Sequence, residues 1–189
     1  MDLRSWVLAD HTTALQRLER QVLDRVPTDR WPEVVDGGGN SIGWGLLHAW
    51  YHQDVALSVV RGVDPLMSER REALGLARFA PFVGMGEAEV EGTVAAVDPD
   101  ALLAYVRDVH ARTAEWFAGA DLGVLDTVTD ASKGLSELAG IGRGDAEWLH
   151  DMWTDKPVGW FVQWECIGHG HTHVGEMVSV RNRMGLSPF

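Results

Sequence analysis

The sequence has one cysteine, no excess of basic residues and no long apolar run, and each absence narrows what the chain can be. Cys166 alone excludes an intrachain disulfide and a zinc site built from several cysteines. The net charge of −12 argues against a nucleic-acid backbone or an anionic membrane as partner, because both attract clustered Lys and Arg. No apolar run could span a membrane, and no signal-peptide core follows the N-terminus. We therefore expect a cytoplasmic protein.

Common catalytic motifs and strand patterns are also missing. The sequence contains no H-E-x-x-H, no phosphate-binding P-loop and no G-x-S-x-G. It shows no convincing alternation of apolar and polar residues, which is the mark of β-strands. With 189 residues and ordinary apolar and charged contents, we expect one globular domain covering residues 1–189.

Four long stretches instead carry the apolar spacing of amphipathic helices. They run over residues 3–23 and 42–60, from Asp98 to about Phe117, and from residues 155–157 to Gly185. The two long connections, 63–97 and 121–155, are expected to carry short helices at 68–79 and 145–153. The sequence thus predicts an all-α protein, an antiparallel four-helix bundle with two long connections carrying short extra helices.

The fourth helix contains the most informative motif, with three histidines in five residues. His169 and His173 are spaced i, i+4, which places two imidazoles one turn apart on one helix face, while His171 points to the other side. The apolar seam through Val162 and Cys166 continues into this pair, so the pair is predicted to face inward. Two such imidazoles can bind one divalent metal ion, and imidazole suits Zn, Ni, Cu or Fe.

The second helix repeats the same spacing with His48 and His52. One of these two histidines, together with His169 and His173, would give three imidazoles converging between facing helices, with coordination positions left open for water or substrate. The spacing leaves open whether His48 or His52 is the third ligand. It also leaves open the alternative that these are hydrogen-bonded core histidines.

Glycines weaken the helix prediction around this motif. Gly168, Gly170 and Gly175 each cost up to about 1 kcal/mol relative to alanine in a helix interior. Either a neighbour requires small residues there, or the segment is a loop. The seam on both sides favours a helix.

Three segments together resemble the DinB-like superfamily, metal-binding four-helix bundles that include YfiT-type proteins and thiol-dependent S-transferases. They are residues 40–48, which end in a histidine, residues 104–113, and residues 169–176 followed by Arg181 and Gly185. The resemblance implies His48, His169 and His173 as metal ligands. His52 departs from the family pattern as an extra histidine one turn on, which could replace or join His48. It also implies pairing into a homodimer through helix faces. We expect a divalent cofactor, with zinc or nickel as the first choices.

The resemblance implies a metal-dependent enzyme acting on a small molecule, by S-transfer from a low-molecular-weight thiol or by metal-assisted hydrolysis. One alternative is a non-catalytic metal- or ligand-binding protein related to stress. Another is a helical interaction module whose histidines are structural. An open coordination site and turnover would distinguish the enzyme from both.

Other residues could contribute to such a site. Glu176, three residues after His173, is the candidate catalytic residue, either as a general base or by orienting an imidazole or a water. Cys166 could be a soft ligand or nucleophile, although a buried inert thiol is the favoured interpretation. His11 and His110 are expected to be core histidines.

Overall fold

The computed structural model describes residues 2–35, 38–78 and 80–188. Helix α1 (Leu3–Leu18) begins at Asp2, whose carboxylate accepts a hydrogen bond from the Ser5 amide at 2.8 Å. The helix continues into a wider π-helical turn over Glu19–Leu23, so the first predicted helix is present along its whole length. The Asp2 cap satisfies an amide that otherwise lacks a partner in the first helical turn.

The second and third predicted long helices begin within one residue of the predicted positions, 42 and 98. In α2 (Ile42–Arg61) the Ser41 hydroxyl accepts a hydrogen bond from the Trp44 amide at 3.2 Å, and Gly62 ends the helix in the left-handed conformation. In α5 (Pro99–Gly119) Asp98 caps the helix and proline occupies the first turn. Between them, α3 (Met67–Arg70) and α4 (Glu87–Ala96) lie in the first long connection.

The last long helix consists of three consecutive pieces. They are α8 (Val158–Trp160), a π-helical segment over Phe161–Gly168, and α9 (His169–Arg183). Because π-helical hydrogen bonds join residues five apart instead of four, the middle piece has a wider turn. Before it, the second long connection carries α6 (Ala131–Glu137) and α7 (Glu147–Trp153).

The four long helices form a bundle in which α1 and α2 each pack against both α5 and α9. Between α1 with its π-helical extension and α9, the residue numbers of contacting pairs increase together, from Asp10–His171 to Gln21–Arg181. These two helices therefore run parallel. The contacts Glu19–Arg107 of α1 with α5, and His48–His173 of α2 with α9, show antiparallel pairs. It follows that α2 and α5 run in the same direction, which the long connection between them permits.

The predicted all-α bundle is confirmed, and its connections are more helical than predicted. The short helix predicted at 145–153 is α7, whereas the one predicted at 68–79 is only the four-residue α3, and Phe79 lies outside the described residues. Helices α4 and α6 were not predicted. In α4 only Val94 is buried, so no apolar stripe marks this helix in the sequence.

A buried carboxylate ties the first long connection to α2. Asp54 is 4% exposed and accepts hydrogen bonds from the amides of Leu66 and Met67, both at 2.8 Å, and from the Tyr105 hydroxyl at 2.9 Å. The carboxylate therefore satisfies the first amides of α3 and joins α2, α3 and α5.

The glycines near the histidine motif lie inside a continuous helix. A Cβ added at Gly168 would approach the Gln163 carbonyl and the Trp164 ring to 3.2 Å, so a small residue is required there. At Gly170 and Gly175 an added Cβ would meet nothing within 4 Å. Packing therefore explains only the first of the three glycines. Within the described part of the chain, no helix is long and apolar enough to cross a membrane.

Candidate metal centre

The histidines of α2 and α9 face each other because the two helices are antiparallel neighbours. His48 lies beside His173, with ring centroids 4.8 Å apart, and His52 lies beside His169 at 4.7 Å. On each helix the two rings are four residues apart and so share one face. The matched spacing of the two pairs brings four imidazoles into one cluster.

Three of these imidazoles can bind one ion. Each of His48, His169 and His173 offers a ligand atom, and these atoms lie within 4.8 Å of one another. The Nε2 atoms of His169 and His173 are 3.0 Å apart, a separation that suits two ligands of a single ion. Burial, followed by the neighbouring imidazoles, lowers the pKa of His48 and of His169. Both rings are therefore neutral at pH 7, as metal ligation requires.

Neighbouring side chains fix the orientation of these rings. The Glu176 carboxylate lies 2.7 Å from Nδ1 of His173, so the ring donates Nδ1–H to it and directs Nε2 toward His169. Trp44 stacks on His48 with centroids 4.2 Å apart and meets His173 edge-on at 5.5 Å. These contacts hold the rings where a metal ion needs them.

Glu165 is a buried member of the cluster. It is 1% exposed, and its Oε2 lies 3.3 Å from Nδ1 of His52 and 4.0 Å from Nδ1 of His169. The other oxygen, Oε1, accepts a hydrogen bond from the Trp153 indole N–H at 2.8 Å. Ligand atoms of His52, Glu165 and His169 also lie within 4.8 Å of one another. Among the described residues, two groups of three can thus hold an ion, and Glu165 is the only carboxylate in either group.

A cavity of about 310 Å³ reaches the cluster from the side of α2. His48 and His52 lie in its wall, while the other lining residues are mostly apolar or aromatic. The aromatic ones are Trp44, Tyr51, Phe82, Trp148 and Trp153. The residues of both long connections close it, through segments 81–84 and 141–149. A small molecule can thus approach the histidines without leaving an apolar environment.

Comparison with known proteins agrees with this geometry. The model of one protein family, described as the DinB superfamily, matches residues 11–177. The chain belongs to the DinB superfamily. A solved structure described as a conserved protein of locus from Enterococcus faecalis superposes with a TM-score of 0.70 at 17% identity, covering 98% of this chain and 99% of that one. That likeness establishes the fold. No curated protein matches the sequence.

Within this DinB fold, the predicted histidines occupy the places that their spacing indicates. His48, His169 and His173 come together, and His52 joins them one turn along α2. His171 faces α1 instead, with Nε2 3.3 Å from the Asp10 carboxylate. The ligand assignment itself and the role of Glu176 remain predictions.

The predicted core histidines lie on the far side of α2. His11 and His110 stack at 3.8 Å, and the Gln53 amide donates a hydrogen bond to Nε2 of His11 at 2.9 Å. This arrangement agrees with the expected structural role of both histidines. It also separates them from the cluster of four histidines.

Glu165 was not predicted as part of the cluster, because the apolar seam of this helix was assigned to Val162 and Cys166. Val162 and Cys166 are buried as predicted, but they pack with Val7 and Phe117 of α1 and α5. Burial, followed by the nearby Glu165, raises the pKa of the Cys166 thiol, which agrees with an inert thiol. The stripe that continues from His169 instead runs back through Glu165. Its i, i+4 relation to His169 was the signal available in the sequence.

Proposed function

We propose that the protein is a divalent-metal-dependent enzyme acting on a small, uncharged molecule with an apolar or aromatic part. The observation that carries the proposal is the position of His48: it belongs to a three-imidazole group and also lines the cavity of about 310 Å³. A structural metal site is normally closed by four protein ligands, whereas a catalytic one keeps an accessible position. A divalent ion held there would supply Lewis-acid chemistry, polarising a carbonyl or lowering the pKa of a thiol or water.

The lining of the cavity supports the choice of substrate class. Among the described residues that line it there is no lysine or arginine, and the one carboxylate is Asp145. An anionic substrate would meet no positive side chain there and would lose its hydration, which is costly. A neutral molecule with an aromatic ring would instead stack on walls such as Trp44 and Trp148.

The chain's own groups have separate roles in this proposal. His48, His169 and His173 hold the ion as neutral imidazoles. Glu176 holds Nδ1–H of His173, and being half exposed it can also exchange a proton with solvent or with a substrate near the ion. Trp44 covers His48 and keeps water from one side of the ring.

Two reaction types fit these groups, S-transfer from a thiol and hydrolysis. Transfer forms a bond from the thiol sulfur to an electrophilic carbon, while the leaving group departs and the thiol proton passes to a base. Hydrolysis forms a bond from a water oxygen to a carbonyl carbon and breaks the bond from that carbon to the leaving group. A base takes a proton from the water, and the leaving group departs with a proton. The apolar walls favour transfer, because a pocket that excludes water keeps it from competing with the thiol for the electrophilic carbon.

Metal content measured by mass spectrometry after reconstitution with zinc or nickel is the first test. We expect His48→Ala and His173→Ala each to bind one ion fewer than the wild type. His171→Ala is the matched control, because it removes an imidazole of the same helix that faces α1, and it should bind as the wild type does. Wild-type metal content in His173→Ala would contradict the proposal.

Turnover then separates an enzyme from a metal-binding protein. With a neutral electrophile, we expect benzyl mercaptan to react with higher kcat/KM than the anionic thioglycolate, and His48→Ala to abolish the reaction. Metal binding without turnover of either thiols or neutral esters would favour the non-catalytic alternative.

A further inference from the structure

The ligand cluster repeats itself one helical turn along the bundle. On α2 the step is from His48 to His52, and on the facing helix it runs in the opposite chain direction, from His173 through His169 to Glu165. Each step is four residues, which corresponds to about 6 Å, slightly more than one turn, along an α-helix axis. The two antiparallel helices thus present two ligand groups at successive levels. We call the group of His48, His169 and His173 the upper group, and that of His52, Glu165 and His169 the lower group.

The lower group has the composition of a metal site. Its three ligand atoms lie within 4.8 Å of one another, as in the upper group. Two nitrogens and one carboxylate oxygen suit first-row transition ions and zinc, whereas magnesium and calcium prefer oxygen ligands alone. The carboxylate is also held in place, since Trp153 donates to Oε1 and leaves Oε2 to face the two histidines.

The two nitrogens of His169 face different groups. Its Nε2 lies 3.0 Å from Nε2 of His173, in the upper group. Its Nδ1 is on the Glu165 side, 4.0 Å from Oε2, and is buried without a hydrogen-bond partner. A buried polar nitrogen without a partner is costly and calls for an explanation. An ion in the lower group would provide its missing partner.

The charge around Glu165 points the same way. The Glu165 side chain is 1% exposed, and the basic groups that lie within 4.0 Å of its carboxylate in the described structure are the imidazoles of His52 and His169. Among the described residues, no lysine or arginine forms an ion pair with Glu165. A buried carboxylate is stabilised by a paired cation or by a bound metal ion. A divalent ion would supply that charge.

We propose that His52, Glu165 and His169 form a second divalent-cation site, so that the protein holds a two-ion centre in which His169 is shared. The ion is of the transition-metal or zinc class. With an ion on each nitrogen, the ring of His169 has released its N–H proton to solvent. The proposal rests on the proposed function only through this shared ligand, because the upper group is the site assigned there.

Zinc content after reconstitution and exhaustive dialysis tests the two-ion centre. We expect about two zinc ions per chain in the wild type, and about one in Glu165→Gln and in His52→Asn, because each loses one ligand of the lower group. His48→Asn should also retain about one ion, held by the lower group. His171→Asn is the matched control: it makes the same kind of change at an imidazole of α9 that faces Asp10 of α1, and it should keep both ions.

The outcomes separate the two proposals. About one ion in the wild type, unchanged in Glu165→Gln and lost in His48→Asn, would overturn the second site and leave the proposed function standing. About one ion that is lost in Glu165→Gln but retained in His48→Asn would place the metal in the lower group alone and overturn the two-ion centre. No zinc in any sample would overturn both. Circular dichroism checks folding, and His52→Asn decides the matter where Glu165→Gln does not fold.

Discussion

Replacement of Asp54 by alanine should destabilise the protein strongly without removing a metal ligand. The carboxylate accepts three hydrogen bonds at 2.8–2.9 Å, from the amides of Leu66 and Met67 and from the Tyr105 hydroxyl. A buried donor left without its acceptor costs about 1–3 kcal/mol. The loss is reduced because burial disfavours the charged carboxylate, which raises the pKa of Asp54. We therefore expect the free energy of unfolding to fall by about 3–5 kcal/mol.

Urea denaturation followed by tryptophan fluorescence measures this loss. Tyr105→Phe removes one of the three donors together with its need for an acceptor, and should cost only about 1 kcal/mol. A loss below about 1 kcal/mol for Asp54→Ala would refute the reasoning, because it would mean that water or other groups replace the carboxylate. Zinc content at low denaturant should match the wild type, because Asp54 contacts neither ligand group.

Three further predictions follow from the same geometry. In EDTA, the free energy of unfolding should fall as the pH is lowered from about 6.5 toward 4, because burial lowers the pKa of His11 to about 3 and of His110 to about 4. The unfolded chain then binds more protons in this window, and His11→Gln should make the slope shallower by up to about 1.4 kcal/mol per pH unit. Glu176→Gln should weaken zinc binding about 10- to 100-fold in a competition titration, because His173 loses the partner that fixes its Nδ1–H. Gly170→Ala and Gly175→Ala should each stabilise α9 by about 0.5–1 kcal/mol in thermal denaturation, since an added Cβ meets nothing within 4 Å.

Each of these predictions has a clear contrary result. A stability that is independent of pH between 6.5 and 4 would show that His11 and His110 are protonated in the folded protein. Unchanged zinc affinity in Glu176→Gln would show that the carboxylate does not orient the ring. Gly168→Ala is the control for the glycines, because its Cβ would crowd the Gln163 carbonyl and should destabilise the helix.

Local signals were sufficient to predict the long helices and the meeting of three histidines. The apolar stripes predicted these helices, and in the structure Asp2, Ser41 and Asp98 cap them at the residue directly before each stripe. The spacing of four residues on two helices also predicted that one of His48 and His52 would meet His169 and His173. Both kinds of signal depend on contacts within one or two helical turns, which a sequence displays directly.

The positions of α4, of Glu165 and of the cavity were not predicted, because they depend on contacts between residues that are distant in sequence. Helix α4 has one buried residue, so its position depends on where the bundle leaves room for it. Glu165 and Cys166 both lie near the face of His169 on a regular helix, and the apolar seam favoured Cys166. The burial of Glu165 depends on His52 and Trp153, which are distant in sequence. The cavity is closed by segments from two connections that no local pattern brings together.

The wide segment over Phe161–Gly168 also determines how the chain tolerates changes of length. Deleting one residue between Glu165 and His169 would rotate everything before the deletion by about 100° relative to α9. This rotation would carry Glu165 away from its position facing His52, while His169 and His173 kept their mutual position. An added or lost residue in the 63–97 connection would be absorbed by its turns. We therefore expect insertions and deletions among related sequences to occur in the connections, while the number of residues between Trp160 and His169 stays constant.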